Sequence, residues 1–220
     1  MTEIAEDATL DEIRLALAPE LALNAVFDGW SEAALDAAAT GAGVDPAVAR
    51  LAFPGGESDM IAAWIESVDA AMLAEFADGR LSNMPIRERI RSLIQFRLDA
   101  IAGLEEALRR ALAIQAMPQN VPASLKRGWQ SADAMWRLAG DTATDYNHYT
   151  KRAILASIYA ATLAIWVDDE SMDKADTRAF LDRRIEGVMR FEKAKAQWLG
   201  KDREHFDVAR FLGRLRYPGK

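Results

Sequence analysis

Residues 153–167, AILASIYAATLAIWV, are the most apolar run in the chain. Their number decides what they can be. A helix that crosses a bilayer needs about 20 predominantly apolar residues, and this run is shorter and carries Ser157, Tyr159 and Thr162. A helix apolar on every side that cannot span a membrane must be wrapped by other helices. The run therefore predicts a helical bundle with 153–167 near its middle. The remaining sequence agrees. Ala, Leu, Glu and Arg are abundant, no segment sustains strand-like alternation, and 220 residues suffice to bury a substantial core.

Apolar spacing predicts a first helix over about Leu10–Phe27, with Ile13, Leu17, Leu21 and Leu23 on its apolar side and Gly29 as its stop. Ser31 caps a second helix, SEAALDAAAT. GAGVDPAVARLAF then supplies a glycine turn, Asp45 as N-cap and Pro46 at the first helical position. Helix, turn and short helix in that order are a helix-turn-helix pattern. Past FPGGESDM, Ser58 or Asp59 starts the next helix. One long helix is expected from Ile86 to about Met117, where Pro118 and Pro122 break it. Others follow at about Pro122–Leu138, Tyr146–Val167 and Asp176–Trp198. The organisation is a helix-turn-helix-like unit at 9–56, a helical domain at 57–200 and a tail at 201–220.

Charge argues against the obvious use of the first unit. Residues 1–56 hold two bases, Arg14 and Arg50, against ten acids, a formal charge of −8, and the whole chain stands at −7. Affinity for a duplex rests on neutralising phosphates, so no nucleic acid partner is expected and the helix-turn-helix is read as degenerate. The chain has no cysteine, which excludes disulfides, thiolate nucleophiles and cysteine-ligated metals. Its two histidines, His148 and His205, belong to no metal-binding pair, and no phosphate loop or nucleophile elbow is present. No catalytic residue, metal or cofactor is expected, and the chain is read as a non-enzyme. The acidic start, MTEIAEDATLDEI, lacks the apolar and basic regions of a targeting peptide.

GDTATDYNHYTKR, directly before the apolar run, is unusually polar for the start of a buried helix. Thr142 and Asp145 have capping-box spacing, and Thr144 is a second possible cap. Asp145, His148, Tyr149 and Arg152 fall at i, i+3, i+4 and i+7, one stripe of a helix. The stripe has the composition of an interface hot spot. It equally fits an intrahelical network in which Asp145 pairs Arg152 past Tyr149.

Two resemblances sharpen these readings. The segment GW…LDAAATGAGVDPAVARLAFPGGESDM resembles the DNA-binding end of TetR-type repressors. WRLAGDTATDYNHYTKRAILASIYAATLAIWVDD, with ALAIQAMPQN before it and FLDRRIEGVMRFEK after it, resembles the ubiquinone (coenzyme Q) biosynthesis accessory protein family, the ninth Coq protein, over roughly residues 10–200. The resemblance implies an all-α, TetR-repressor-like fold that has lost DNA binding, with a C-terminal helical ligand-binding bundle and an amphipathic C-terminal helix. It implies a homodimer that binds isoprenoid quinone lipids and assists the di-iron demethoxyubiquinone hydroxylase without being an enzyme. The family's hydroxylase-contacting patch maps onto Asp145, His148, Tyr149 and Arg152, with His148 standing where the family commonly has tryptophan. The competing functional reading is a ligand-sensing transcriptional repressor of the TetR type.

A carrier of so apolar a ligand needs a long apolar pocket. Leu93, Phe96, Trp129, Met135, Trp136, Ile158, Thr162 and Ile165 have helical spacings that suit its wall; each also suits plain core. In the tail KDREHFDVARFLGRLRYPGK, six bases face three acids. Val208, Phe211, Leu212 and Leu215 form an apolar stripe with Arg210 and Arg214 beside it, the pattern of a helix lying on an anionic membrane surface or packed on its own bundle or dimer mate. The expected location is cytoplasmic, peripheral on the inner face of a membrane.

Overall fold

The computed structural model describes the backbone of residues 7–142 and 146–202, and the side chains of these except 146, 147 and 191–202. Among the described residues the fold is all-α. Its helices are α1 (Leu10–Asp28), α2 (Glu32–Gly41), α3 (Pro46–Leu51), α4 (Glu57–Glu75), α5 (Ile86–Asp99), α6 (Glu105–Gln115), α7 (Val121–Leu138), α8 (Tyr146–Trp166) and α9 (Ala175–Asp202). None is long and apolar enough to cross a membrane among the described residues. The expected membrane-surface residues Val208, Arg210, Phe211, Leu212, Arg214 and Leu215 lie outside them, as do Thr144 and Asp145.

Local chemistry sets most boundaries. Thr9 and Glu12 close a capping box at the start of α1. Ser31 Oγ accepts the Ala34 amide at 3.3 Å, and Asp45 Oδ1 accepts the Ala47 amide at 2.8 Å, so both expected caps form. The helix expected to start at Ser58 or Asp59 begins just before them, at Glu57, and Asp59 accepts the Gly55 amide at 2.6 Å. The long helix expected from Ile86 to Met117 is two helices. Gly103, at φ 83°, turns the chain between α5 and α6, a conformation glycine adopts without steric cost. Leu23, expected on the apolar side of α1, is about half exposed, because only the Ile13, Leu17 and Leu21 side of that helix packs inward.

The core is continuous from the first unit to the last helix, and includes Leu17, Leu35, Ile61, Leu93, Met135, Leu155 and Leu181. Trp30 joins the helix-turn-helix unit to the bundle. Its indole N–H donates to the Ala107 carbonyl of α6 at 3.0 Å, and its ring lies 5.2 Å from Trp64 of α4. α8 packs between α7 and α9, with Leu155, Ile158, Thr162 and Trp166 buried. The expected wrapping is incomplete: Ala153, Ser157, Ala160 and Ala164 form one exposed stripe of the helix.

Candidate functional site

The polar start of α8 is resolved by the corner that precedes it. α7 ends at Leu138, Gly140 with a φ of 87° turns the chain, and the Asp141 amide bonds back to the Trp136 carbonyl at 2.9 Å. Arg89 of α5 holds this corner from outside, donating to the carbonyls of Ala139, Met84 and Ser82 at 2.7 Å each. The turn carries Asp141 over the first turns of α8. There it accepts Lys151 Nζ at 2.6 Å and Arg152 at 3.1 Å. Arg152 also pairs with Asp133 of α7 and donates to the His148 carbonyl at 3.1 Å. The Asp141 side chain is only 6% exposed. Burial would raise its pKa, but the hydrogen bonds and charges of Lys151 and Arg152 outweigh that and hold it below the usual aspartate value.

This arrangement corrects one expectation. Arg152 is 2% exposed and sits in an ionic network that joins α8 to α7 and to the corner, so its guanidinium cannot reach a docking partner directly. It is a buried positioning group. Tyr149 is 62% exposed. Its ring stands 5.1 Å from His148, edge to face, and 6.0 Å from Trp129 of α7; the Trp129 and His148 rings are 6.4 Å apart. The stripe therefore divides. His148 and Tyr149 form an aromatic surface with Trp129, and Arg152 lies beneath it. Asp145 falls outside the described residues.

Trp129 also walls a cavity of about 570 Å³ between α4, α5, α6, α7 and α8. Trp64, Ile65, Val68, Leu108, Leu112 and Leu163 make most of it apolar. Val121 and Leu125, on α7, line it while being exposed, and mark its rim. Its inner wall is polar. Arg97 of α5, 2% exposed, pairs with Asp69 of α4. Ser131 of α7 donates to Asp69 Oδ2 at 2.8 Å, and the Tyr159 ring lies 4.8 Å below the Arg97 guanidinium. Burial works against the charge on Arg97, but Tyr159 and Asp69 hold its proton more firmly than usual.

A second cavity, about 450 Å³, lies between α5, the α7–α8 corner, α8 and α9, with Trp136, Ile158, Ile185 and Val188 in its wall. Of the eight expected lipid-contacting residues, Trp129 faces the larger cavity and Trp136 and Ile158 the smaller. Leu93, Phe96, Met135, Thr162 and Ile165 line neither. Leu93 and Met135 are fully buried core, Thr162 donates to the Ile158 carbonyl at 2.7 Å, and Phe96 packs edge-on to Phe76. Periodicity identified the inward faces without distinguishing solid core from cavity wall. It also passed over Arg97 and Asp69, although each carried a signal. Arg97 interrupts the apolar stripe of Ile90, Leu93, Ile94 and Ile101, and Asp69 that of Ile65, Val68 and Met72.

In the first unit, Arg50 is paired with Asp36 of α2, so the base on the short third helix is already neutralised within the protein. No group of three His, Cys, Asp or Glu side chains that could hold a metal occurs among the described residues.

Residues 121–192, which span α7, α8 and most of α9, match the COQ9 family model. The chain is 33% identical over 168 residues to the ubiquinone biosynthesis protein COQ9, mitochondrial, of Rattus norvegicus, covering 73% of this chain and 54% of that protein. It is 30% identical over 168 residues to the Homo sapiens protein of the same name, covering 73% and 52%. The chain thus spans about half the length of these curated relatives. In fold it is similar to a TetR transcriptional regulator from Nitrosomonas europaea, with a TM-score of 0.63 and 25% identity, over 79% of this chain and 95% of that one. The TetR-repressor-like fold expected from sequence is the fold of this protein.

Proposed function

The chain belongs to the COQ9 family, and on that premise we propose that it is a non-catalytic, lipid-binding accessory protein of ubiquinone biosynthesis. It binds isoprenoid quinone intermediates in the larger cavity and assists the di-iron demethoxyubiquinone hydroxylase through the aromatic surface of His148 and Tyr149. One observation carries the reading. Trp129 is at once a wall of an apolar cavity of about 570 Å³ and the ring against which His148 and Tyr149 stand. That volume lies within the range of small-molecule sites. A ligand in the cavity and a partner on the surface would share one side chain. The exposed Val121 and Leu125 at the rim supply an apolar margin for the same partner to cover. The chain acts as a homodimer at a membrane surface, with the basic tail as its contact. That surface is the inner face of a membrane, in a mitochondrion or, in a cell without one, at the cytoplasmic membrane, a reading supported by relatives that are mitochondrial.

The repressor alternative fits the fold but not the charge. Its reading helix would present Arg50 already bound to Asp36, within a unit of formal charge −8.

Quinone profiling tests the proposal. Cells lacking the chain should accumulate demethoxyubiquinone, and the wild-type chain should restore ubiquinone. Tyr149→Ala should restore it poorly while the variant protein stays folded and abundant. Normal ubiquinone in the deleted cells would refute the proposal, and full rescue by Tyr149→Ala would remove the aromatic surface from it.

A further inference from the structure

The outward face of α1 carries an apolar ridge that stays uncovered among the described residues. Leu15, Pro19, Leu23 and Phe27 recur every four residues, so they stand in one row, about 18 Å from first to last. All four are exposed, Leu23 by 52% and Phe27 by 82%. Scattered exposed apolar residues need no explanation, but a contiguous row marks a surface that meets a partner. Charge narrows the partner. Asp11 and Glu12 neighbour Leu15, Glu20 neighbours Leu23, and all three acids are exposed. Arg14 and Arg50, the two bases of residues 1–56, are bound to Glu66 and Asp36. This face repels an anionic membrane or a nucleic acid. It attracts a basic helix with an apolar stripe.

The chain itself holds such a segment after α9. Residues 201–220 carry six bases against three acids, with Val208, Phe211, Leu212 and Leu215 at i, i+3, i+4 and i+7. The α1 of the same chain is out of its reach. α9 starts beside α6, where Lys174 meets Glu105 at 3.2 Å, and Arg110 of α6 donates to the Phe27 carbonyl at the end of α1. From there α9 runs back along α5, with Asp182 at Arg91 and Met189 sharing the smaller cavity with Ile86. It ends about 42 Å from where it began. Residues 203–207 span at most about 18 Å, too little to bring the stripe back.

We propose that α1 seats the tail of a second copy. The stripe from Val208 to Leu215 lies along Leu15, Pro19, Leu23 and Phe27, its arginines meet Asp11, Glu12 and Glu20, and the two chains exchange tails reciprocally. The proposal rests on the reading of the chain as a homodimer with a membrane-binding tail, and adds a regulation of that tail. One apolar stripe cannot lie on a membrane and on α1 at once, so docking between copies and attachment to a membrane exclude each other.

The chain has no cysteine, so single cysteines report the contact cleanly. Full-length Pro19→Cys and Leu212→Cys chains, co-expressed with different affinity tags, are treated with a short bismaleimide. The covalent product carrying both tags should form about ten-fold faster than from Met172→Cys with Leu212→Cys, because a seated tail raises the local concentration of its thiol. Met172 is a fair control, being 85% exposed and placed just before α9. Adding Phe27→Asp to the Pro19→Cys chain should remove the advantage. Equal rates in a protein that light scattering shows to be dimeric overturn the proposal. A monomer by light scattering refutes the homodimer reading, and the proposal with it. Phe27→Asp alone should also increase flotation with vesicles of phosphatidylcholine and phosphatidylserine, since it frees the tail. Unchanged flotation overturns the regulation. Flotation of neither protein refutes the membrane reading and leaves the cross-linking result to stand by itself.

Discussion

Two arginines of this protein are equally buried and differently bonded. Arg152 and Arg97 are each 2% exposed and each lies near α7. Arg152 is bound by two carboxylates, Asp133 and Asp141, and by the His148 carbonyl. Arg97 has one carboxylate, a long contact to Ser131, the Tyr159 ring beneath it, and an Nε–H with no acceptor among the described residues. The first set is closed on itself, and its use is to fix where α8 leaves the corner and thus where Tyr149 stands. The second is less completely bonded and lines a cavity, so equal burial does not mean equally complete bonding.

The comparison breaks most visibly at Arg152. Arg152→Met removes the cation from two carboxylates, one of which is 6% exposed. Losing one member of a buried ionic group typically costs about 3–5 kcal/mol, since the remaining charge stays buried without a partner. The expected result is a marked drop in the urea midpoint with little change in slope. A loss comparable to that of a surface substitution would show that the network does not hold α8.

Arg97→Met should cost less, about 1–3 kcal/mol, the range for buried polar groups left with incomplete bonding. Asp69 is 19% exposed, keeps its hydrogen bond from Ser131, and can turn partly to water. Replacing both members, Arg97→Met with Asp69→Leu, should recover much of the loss in the same urea titration, because an apolar pair often substitutes for a buried ionic one. A double variant as unstable as Arg152→Met would mean that the two sites hold the fold equally.

How far the sequence disclosed this contrast depends on distance along the chain. Helices and caps were legible because their causes are local: Ser31 and Asp45 lie within three residues of the amides they accept. The stripe of His148, Tyr149 and Arg152 was legible as a helix face, but not which of its members turn inward. Arg152 finds its acids 11 and 19 residues away, on the corner and on α7, and no spacing rule links them. The cavity was hidden for a similar reason. Phe96 and Trp129 share inward-facing periodicity, and only the packing of five helices leaves space beside one and fills it beside the other. Where the sequence did speak about the cavity, it spoke through exceptions, a base and an acid set within apolar stripes.

The smallest effect is expected from acid, and it falls on the closed network. The pKa of Asp141 is held below its usual value by Lys151 and Arg152 against the opposing effect of burial. Asp169 is held lower still. Burial again opposes, and the hydroxyls and amides of Ser171 and Thr177 prevail, with four contacts between 2.5 and 2.9 Å at the start of α9. A carboxylate whose folded pKa lies below its unfolded value, about 3.9 for aspartate, binds fewer protons when folded. Its contribution is therefore complete above about pH 5 and is lost as pH falls through the unfolded and then the depressed folded value. Urea titrations between pH 7 and pH 2 should show an acid limb that begins near pH 5 and steepens below about pH 4. Asp141→Asn should start less stable at pH 7 and follow a shallower limb, so that the two curves converge on acidification. Parallel curves would mean that Asp141 has the same pKa folded and unfolded, and that Arg152 is held by Asp133 alone.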